Sequence, residues 1–296
     1  MKKKSTSKSR KRKTSRKTGE PLGHGDHWQA LGFEGDDLIR LLEEIAQAAS
    51  QVENLNPPWP GAKMEKLVQM ELPWKEISLS LLLGKPPKEE SLHILSAFPI
   101  LSRTSAWKLK IDGVSDSYGP FEGVVDATAD TGHPLQWFDP HFARNAAAWR
   151  AGGTVDVNLA GLALSMRRFD AEPYILHEGP RVEELRARLK AEGRHQEAAD
   201  PQLSVTYVTE TLRTIFSSFH DHHEFVGKVL RVAQTGLGSM VKGWRVELEC
   251  RHDDHGTGRS LPVYVFPPAL EAGYLPKKGD LVSGLLWLQG SYPCHV

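Results

Sequence analysis

Between Phe225 and Gly290, apolar and polar residues alternate in short runs separated by glycine, proline and aspartate. Trp244-Arg245-Val246-Glu247-Leu248-Glu249-Cys250 alternates over seven positions, which predicts a strand with one face in a core and one in water. Phe225 to Val232 predicts a strand bent at Gly227, and the Gly-rich break at Gly236 to Gly243 follows it. Leu261 to Phe266 predicts a third strand, and Pro262 near its start implies an edge or strand-entry position. A short insert after Pro267-Pro268 and a turn at Pro276-Lys277-Lys278-Gly279-Asp280 lead into an apolar last strand, Leu281 to Leu288.

The same order is predicted from Leu92 to Met166. Trp107-Lys108-Leu109-Lys110-Ile111 alternates strictly, placing three apolar residues on one face. Phe121-Glu122-Gly123-Val124-Val125 answers Phe225-Val226-Gly227-Lys228-Val229, and Leu135 to Pro140 answers Leu261 to Pro267. The Ala-rich stretch His141 to Trp149 stands where the other copy has Pro268 to Leu275, and Gly153 to Leu164 stands over Gly279 to Leu288. Strand, strand, strand, short insert, glycine turn and last strand, in that order, resemble the OB-fold barrel. The expectation is therefore a mainly β chain with some α: two tandem OB-like β-barrels, at 91–178 and 201–296, joined by a helical connector at 179–200.

Helical periods fill the rest. Leu38, Leu41, Leu42, Ile45 and Ala49 share one face of a helix within Gly32 to Ser50, with Asp36 and Asp37 suited to its first turn. Val182, Leu185 and Leu189 give the connector a thin stripe between Gly179-Pro180 and Asp200-Pro201. Met64 to Leu83 fits strand or helix equally. Residues 28–90 are read as a helical N-terminal extension, and 1–27 as a disordered basic tail.

Charge changes this picture. The chain holds 37 Lys plus Arg and 37 Asp plus Glu, a net of zero. Ten of the cations, Lys2, Lys3, Lys4, Lys8, Arg10, Lys11, Arg12, Lys13, Arg16 and Lys17, lie together with no acid among them. The remainder therefore sets 27 cations against 37 acids. A polycationic segment attached to an acidic body points to phosphate contacts, which need no fixed geometry. Within residues 1–18 Met1 is the lone bulky apolar residue, which argues against a membrane anchor. Two cysteines, Cys250 and Cys294, form no disulfide framework, and the reading is a reducing cytoplasm.

Candidate chemistry is sparse. His220, His222 and His223 cluster before one strand, and Cys250, His252 and His255 cluster after another, so the two groups could meet around zinc. No Cys-x-x-Cys accompanies them, and a solvated turn is the preferred reading, with no metal or cofactor expected. Trp137, Phe138, Trp149, Tyr264 and Trp287 would form a base-stacking platform if exposed, but core packing is their default fate and the acidic body argues against a cationic groove beside them. Nucleophile elbow, phosphate loop, zinc-protease and dinucleotide motifs are all missing. The resulting expectation is a non-enzymatic, nucleic-acid-associated protein that binds DNA or RNA through the ten tail cations. The alternative is a protein-interaction module docking partners through the helix at 36–50 or through barrel edges.

Overall fold

The computed structural model describes residues 24–292, apart from 60–62, 103, 131, 171–173, 206–210, 215–220, 239 and 252–257. The protein is mainly β with few helices. Two helices come first, α1 (Gly25–Leu31) and α2 (Gly35–Ala48). Four strands follow, β1 (Gln51–Leu55), β2 (Lys66–Pro73), β3 (Ile77–Lys85) and β4 (His93–Leu101), paired in that order as one antiparallel sheet. The helical extension expected at 28–90 is thus helical only to Ala48. Ile77-Ser78-Leu79-Ser80-Leu81 alternates, but residues 77 to 82 are all buried and the run Leu81-Leu82-Leu83 breaks the pattern that would have marked a strand.

The larger, nine-stranded sheet takes in both of the chain segments compared above, called copies for their like order of elements. The first comprises β5 (Ser105–Ser115), β6 (Val124–Ala129), β7 (Pro134–Phe138), helix α3 (Phe142–Ala151) and β8 (Gly153–Arg168). A small ladder of β9 (Tyr174–Leu176) and β10 (Leu203–Val205) encloses α4 (Pro180–Ala191) and α5 (His195–Ala199). The single connector helix is therefore two helices, parted at Gly193, whose φ of 76° ends the first. Strand β11 (Thr211–Thr214) pairs with the second copy, which comprises β12 (His222–Leu237), β13 (Val241–Arg251), β14 (Gly258–Val265), a 3-10 turn at Pro267–Ala269 and β15 (Leu281–Ser291).

The pairings interlock the copies. β5, β6 and β7 form a meander, β7 runs parallel to β15, β15 is antiparallel to β8, and β8 returns to β5. Likewise β12, β13 and β14 form a meander, β14 runs parallel to β8, and β15 returns to β12. Each circuit of five strands therefore borrows the last strand of the other copy. The topology also corrects the sequence alignment of the copies: Val124-Val125 lies on the middle strand of its meander, so it corresponds to β13, and Phe225 to Val229 corresponds to β5.

These shared strands are buried on both faces. Val282, Leu286 and Leu288 join one core together with Trp107, Leu109, Val246, Leu248 and Cys250, whereas Trp287 turns into a second core with Phe138, Tyr264 and Phe266. Helix α2 closes the second core with Leu41 and Ile45, as its period predicts. Pro262 is compatible with a strand paired on both sides because β8 joins β14 only at Val263 and Tyr264, beyond the missing N–H.

Buried amides stitch the two sheets together. The Gln289 side chain accepts the Leu101 N–H at 3.0 Å and donates to the Pro99 carbonyl at 2.7 Å, standing in for a neighbouring strand beside β4. Gln69 donates to the Pro140 carbonyl at 3.0 Å, and Arg245 reaches Glu76 at 2.6 Å.

Candidate functional site

The described part of the N-terminal stretch is ordered chemistry. Helix α1 starts at Gly25, inside the segment expected to be disordered to His27, and the ten tail cations lie outside the described residues. His24, His27, Trp28 and Leu31 share its inner face and are all buried. Gly32 ends the helix in the left-handed region, φ 91°, with its N–H on the Gln29 carbonyl. Trp28 Nε1 donates to the Ala97 carbonyl at 3.0 Å, fixing α1 on β4.

This docking inserts two imidazoles between the sheets. His24 Nε2 lies 2.9 Å from Glu122 Oε1, which also accepts the Ser96 hydroxyl at 2.8 Å. His24 Nδ1 lies 3.0 Å from His27 Nδ1, and His27 Nε2 lies 3.0 Å from His222 Nε2 at the start of β12. Glu122 as a carboxylate can only accept, so His24 donates from Nε2, and a neutral His24 then accepts on Nδ1. His27 then donates from Nδ1 and turns its Nε2 lone pair towards His222. Aromatic faces hold the rings: His24 stacks on Tyr118 at 4.5 Å, and His27 stacks on Trp287 at 3.7 Å.

Asp221 sits behind the imidazoles, fully buried. It accepts Trp287 Nε1 at 2.6 Å and the Tyr118 hydroxyl at 2.9 Å. Burial pushes its carboxyl up to about 6, against those two hydrogen bonds. Burial also holds the His27 imidazole well below its ordinary value, with His24 and His222 adding to the shift. His222 is pushed down to about 4 by burial, the Asp26 carboxylate opposing. Histidines whose folded pKa is depressed stabilise the fold above their unfolded value near 6.5 and lose that contribution as pH falls towards the folded value. Asp221, raised, acts in the opposite sense between its own two values. The thermal midpoint should therefore fall between pH 7 and 5. His222→Gln should remove about 2 kcal/mol of that loss, measured by urea unfolding of the chelator-treated protein across this range.

The solvated turn preferred for the clustered histidines does not hold at His222 and His223, which are buried at the start of β12, and among the described residues the two clusters do not meet. Cys250 is buried in the first core, and His223 donates to the Gln136 carbonyl at 2.6 Å. His220, His252 and His255 lie outside the described residues. His222 instead joins His27 and Asp26, whose ligand atoms all lie within 4.8 Å of one another. The aromatic residues Trp137, Phe138, Trp149, Tyr264 and Trp287 are all fully buried, so they form core and offer no stacking platform.

A second polar feature is a cleft of about 220 Å³ between the sheets, lined by Glu71, Ser78, His141, Asn158 and Gln289 among others. His141 pairs with Glu71 at 3.0 Å. Burial pulls the His141 imidazole down, but the bond to Glu71 and the charges of Asp139 and Glu71 outweigh it and leave it raised. Buried Asp139 accepts the His141 N–H at 2.8 Å and Asn145 Nδ2 at 3.0 Å, pinning the start of α3. Among the described residues no helix is long and apolar enough to cross a membrane. No protein-family model matches the chain, and neither does any curated protein or solved structure.

Proposed function

We propose that the protein is a non-enzymatic, cytoplasmic nucleic-acid-associated protein whose basic leader supplies the affinity for phosphate and whose body carries that leader on two OB-like barrels with a common wall. One observation carries this reading: ten cations between Lys2 and Lys17 precede, by the short stretch Thr18 to Gly23, a helix whose His24, His27 and Trp28 are buried in the body. The leader's root is thus fixed, and counterion release does the rest.

Two five-strand circuits, each with a helical insert between its third and fourth strands, support the barrel reading. Burial of the candidate aromatics and an excess of acids outside the leader support assigning the contact to the leader. The test is binding to duplex DNA and to single-stranded RNA, with and without residues 1–18, over a salt series. The full chain should show steep salt dependence, close to 0.9 log units of affinity per tenfold salt for each duplex phosphate neutralised. The truncated chain should lose most of that slope and about 100-fold or more in affinity at low salt. Equal binding by the two chains would reject the reading.

The interaction-module reading has its own observation. Helix α2 leaves Ile39 56% exposed, and the two edge strands of the small sheet leave Val52 and Ile94 at 60% and 57%. Protein partners retained by the truncated chain after nuclease digestion would favour it over the polyanion reading.

A further inference from the structure

We propose that Asp26, His27 and His222 bind a divalent transition-metal ion, zinc by their donor chemistry, which clamps α1 onto β12. Two imidazole nitrogens and a carboxylate form a borderline donor set suited to zinc, which a purely carboxylate cluster would not be. One donor atom from each residue lies within 4.8 Å of the others, close enough to share an ion, and the two imidazoles approach different oxygens of the Asp26 carboxylate. His27 Nε2 to His222 Nε2 is 3.0 Å, His27 Nε2 to Asp26 Oδ1 is 3.5 Å, and His222 Nε2 to Asp26 Oδ2 is 3.8 Å. Ligands about 2.0 to 2.1 Å from a tetrahedral ion stand roughly 3.3 Å apart, so a small rotation of the Asp26 carboxylate and a slight parting of the two rings would seat the ion.

The surroundings provide an independent second line of argument. A metal-bound imidazole usually donates its other N–H to a fixed acceptor. With a neutral His24, the chain from Glu122 through His24 to His27 Nδ1 supplies that acceptor and leaves the His27 Nε2 lone pair directed at the other two ligands. Stacking on Trp287 fixes the plane of the His27 ring. Without metal, His222 Nε2 and His27 Nε2 share one proton. Metal binding requires His222 to carry its proton on Nδ1, so uptake replaces the hydrogen bond between the two rings by two nitrogen-metal bonds. Asp26 is the rim of the site, its side chain 39% exposed, and on that side water completes the coordination. This inference does not depend on the polyanion reading.

The test uses the full chain, freed of metal with a chelator and titrated with Co²⁺, whose visible absorption reports nitrogen and oxygen coordination. The wild type should take up one Co²⁺ per chain, release it to Zn²⁺, and melt at a higher temperature when loaded. Asp26→Asn changes a half-exposed rim residue and should keep the fold while weakening Co²⁺ binding about tenfold or more. His222→Gln should abolish it, with circular dichroism confirming that the metal-free variant is folded. A double variant, His252→Gln with His255→Gln, should bind as the wild type does. Unaltered binding in Asp26→Asn and His222→Gln, loss confined to the double variant, or a folded wild type that takes up no stoichiometric Co²⁺ would each overturn the assignment.

Discussion

Gly284→Ala should cost about 3 kcal/mol or more and leave little native protein at ordinary temperatures. A Cβ at Gly284 would stand 1.9 Å from the carbonyl oxygen of Ser165 on β8, and 2.8 Å from its carbonyl carbon. The obstacle is backbone, so no rotamer change can clear it. The close approach belongs to the seam where β15 crosses β8, one step from the register shift between Leu285 and Leu286, where the Leu285 N–H goes to the Ser165 hydroxyl at 3.1 Å. Because β8 and β15 serve both circuits, separating them opens both cores together. Gly113→Ala is the matched control. Its Cβ would meet nothing nearer than Asp126 Oδ2 at 3.8 Å, and its urea midpoint should move by less than about 1 kcal/mol equivalent. Comparable losses at both positions would contradict this account of the seam.

Trp287→Ala is the second large effect, expected at about 3 to 5 kcal/mol by urea unfolding at pH 7.5. The indole is fully buried, packs on Phe138, stacks on His27 and donates to Asp221. Trp287→Phe separates these roles, since it keeps most of the packing but removes the N–H from Asp221 Oδ2. A buried carboxylate that loses a donor is costly, whereas a protonated one is less so. The Asp221 pKa, already raised to about 6, should rise further, so the penalty of Trp287→Phe should be smaller at pH 5 than at pH 7.5. A penalty independent of pH would mean that packing alone accounts for the residue.

The parts that could be read from the chain were those whose period matched their surroundings. Val246, Leu248 and Cys250 alternate because β13 buries one face, and Leu41 and Ile45 fall at helical spacing because α2 lies on the small sheet. β3 escaped because Leu81, Leu82 and Leu83 fill both faces of a strand enclosed on either side. Helix α1 escaped because its spacing, His24, His27, Trp28 and Leu31, is written half in histidine, and histidine counts as polar until a partner is known. His222 stood out as a residue able to carry chemistry. Its partner His27 lies 195 residues away, and no local pattern spans that distance. The burial of Trp137, Trp149 and Trp287 was the default for such residues, but what covers them was not legible from the chain.

The crossing of β8 with β15 sets a condition on how the chain is made. During translation β8 leaves the ribosome long before β15 exists, so the first meander waits with its parallel neighbour missing and its apolar edges unpaired. Neither half can close ahead of the other, and premature termination anywhere before Leu281 would strand both. Such a nascent chain exposes apolar strand edges to aggregation until its final strand emerges.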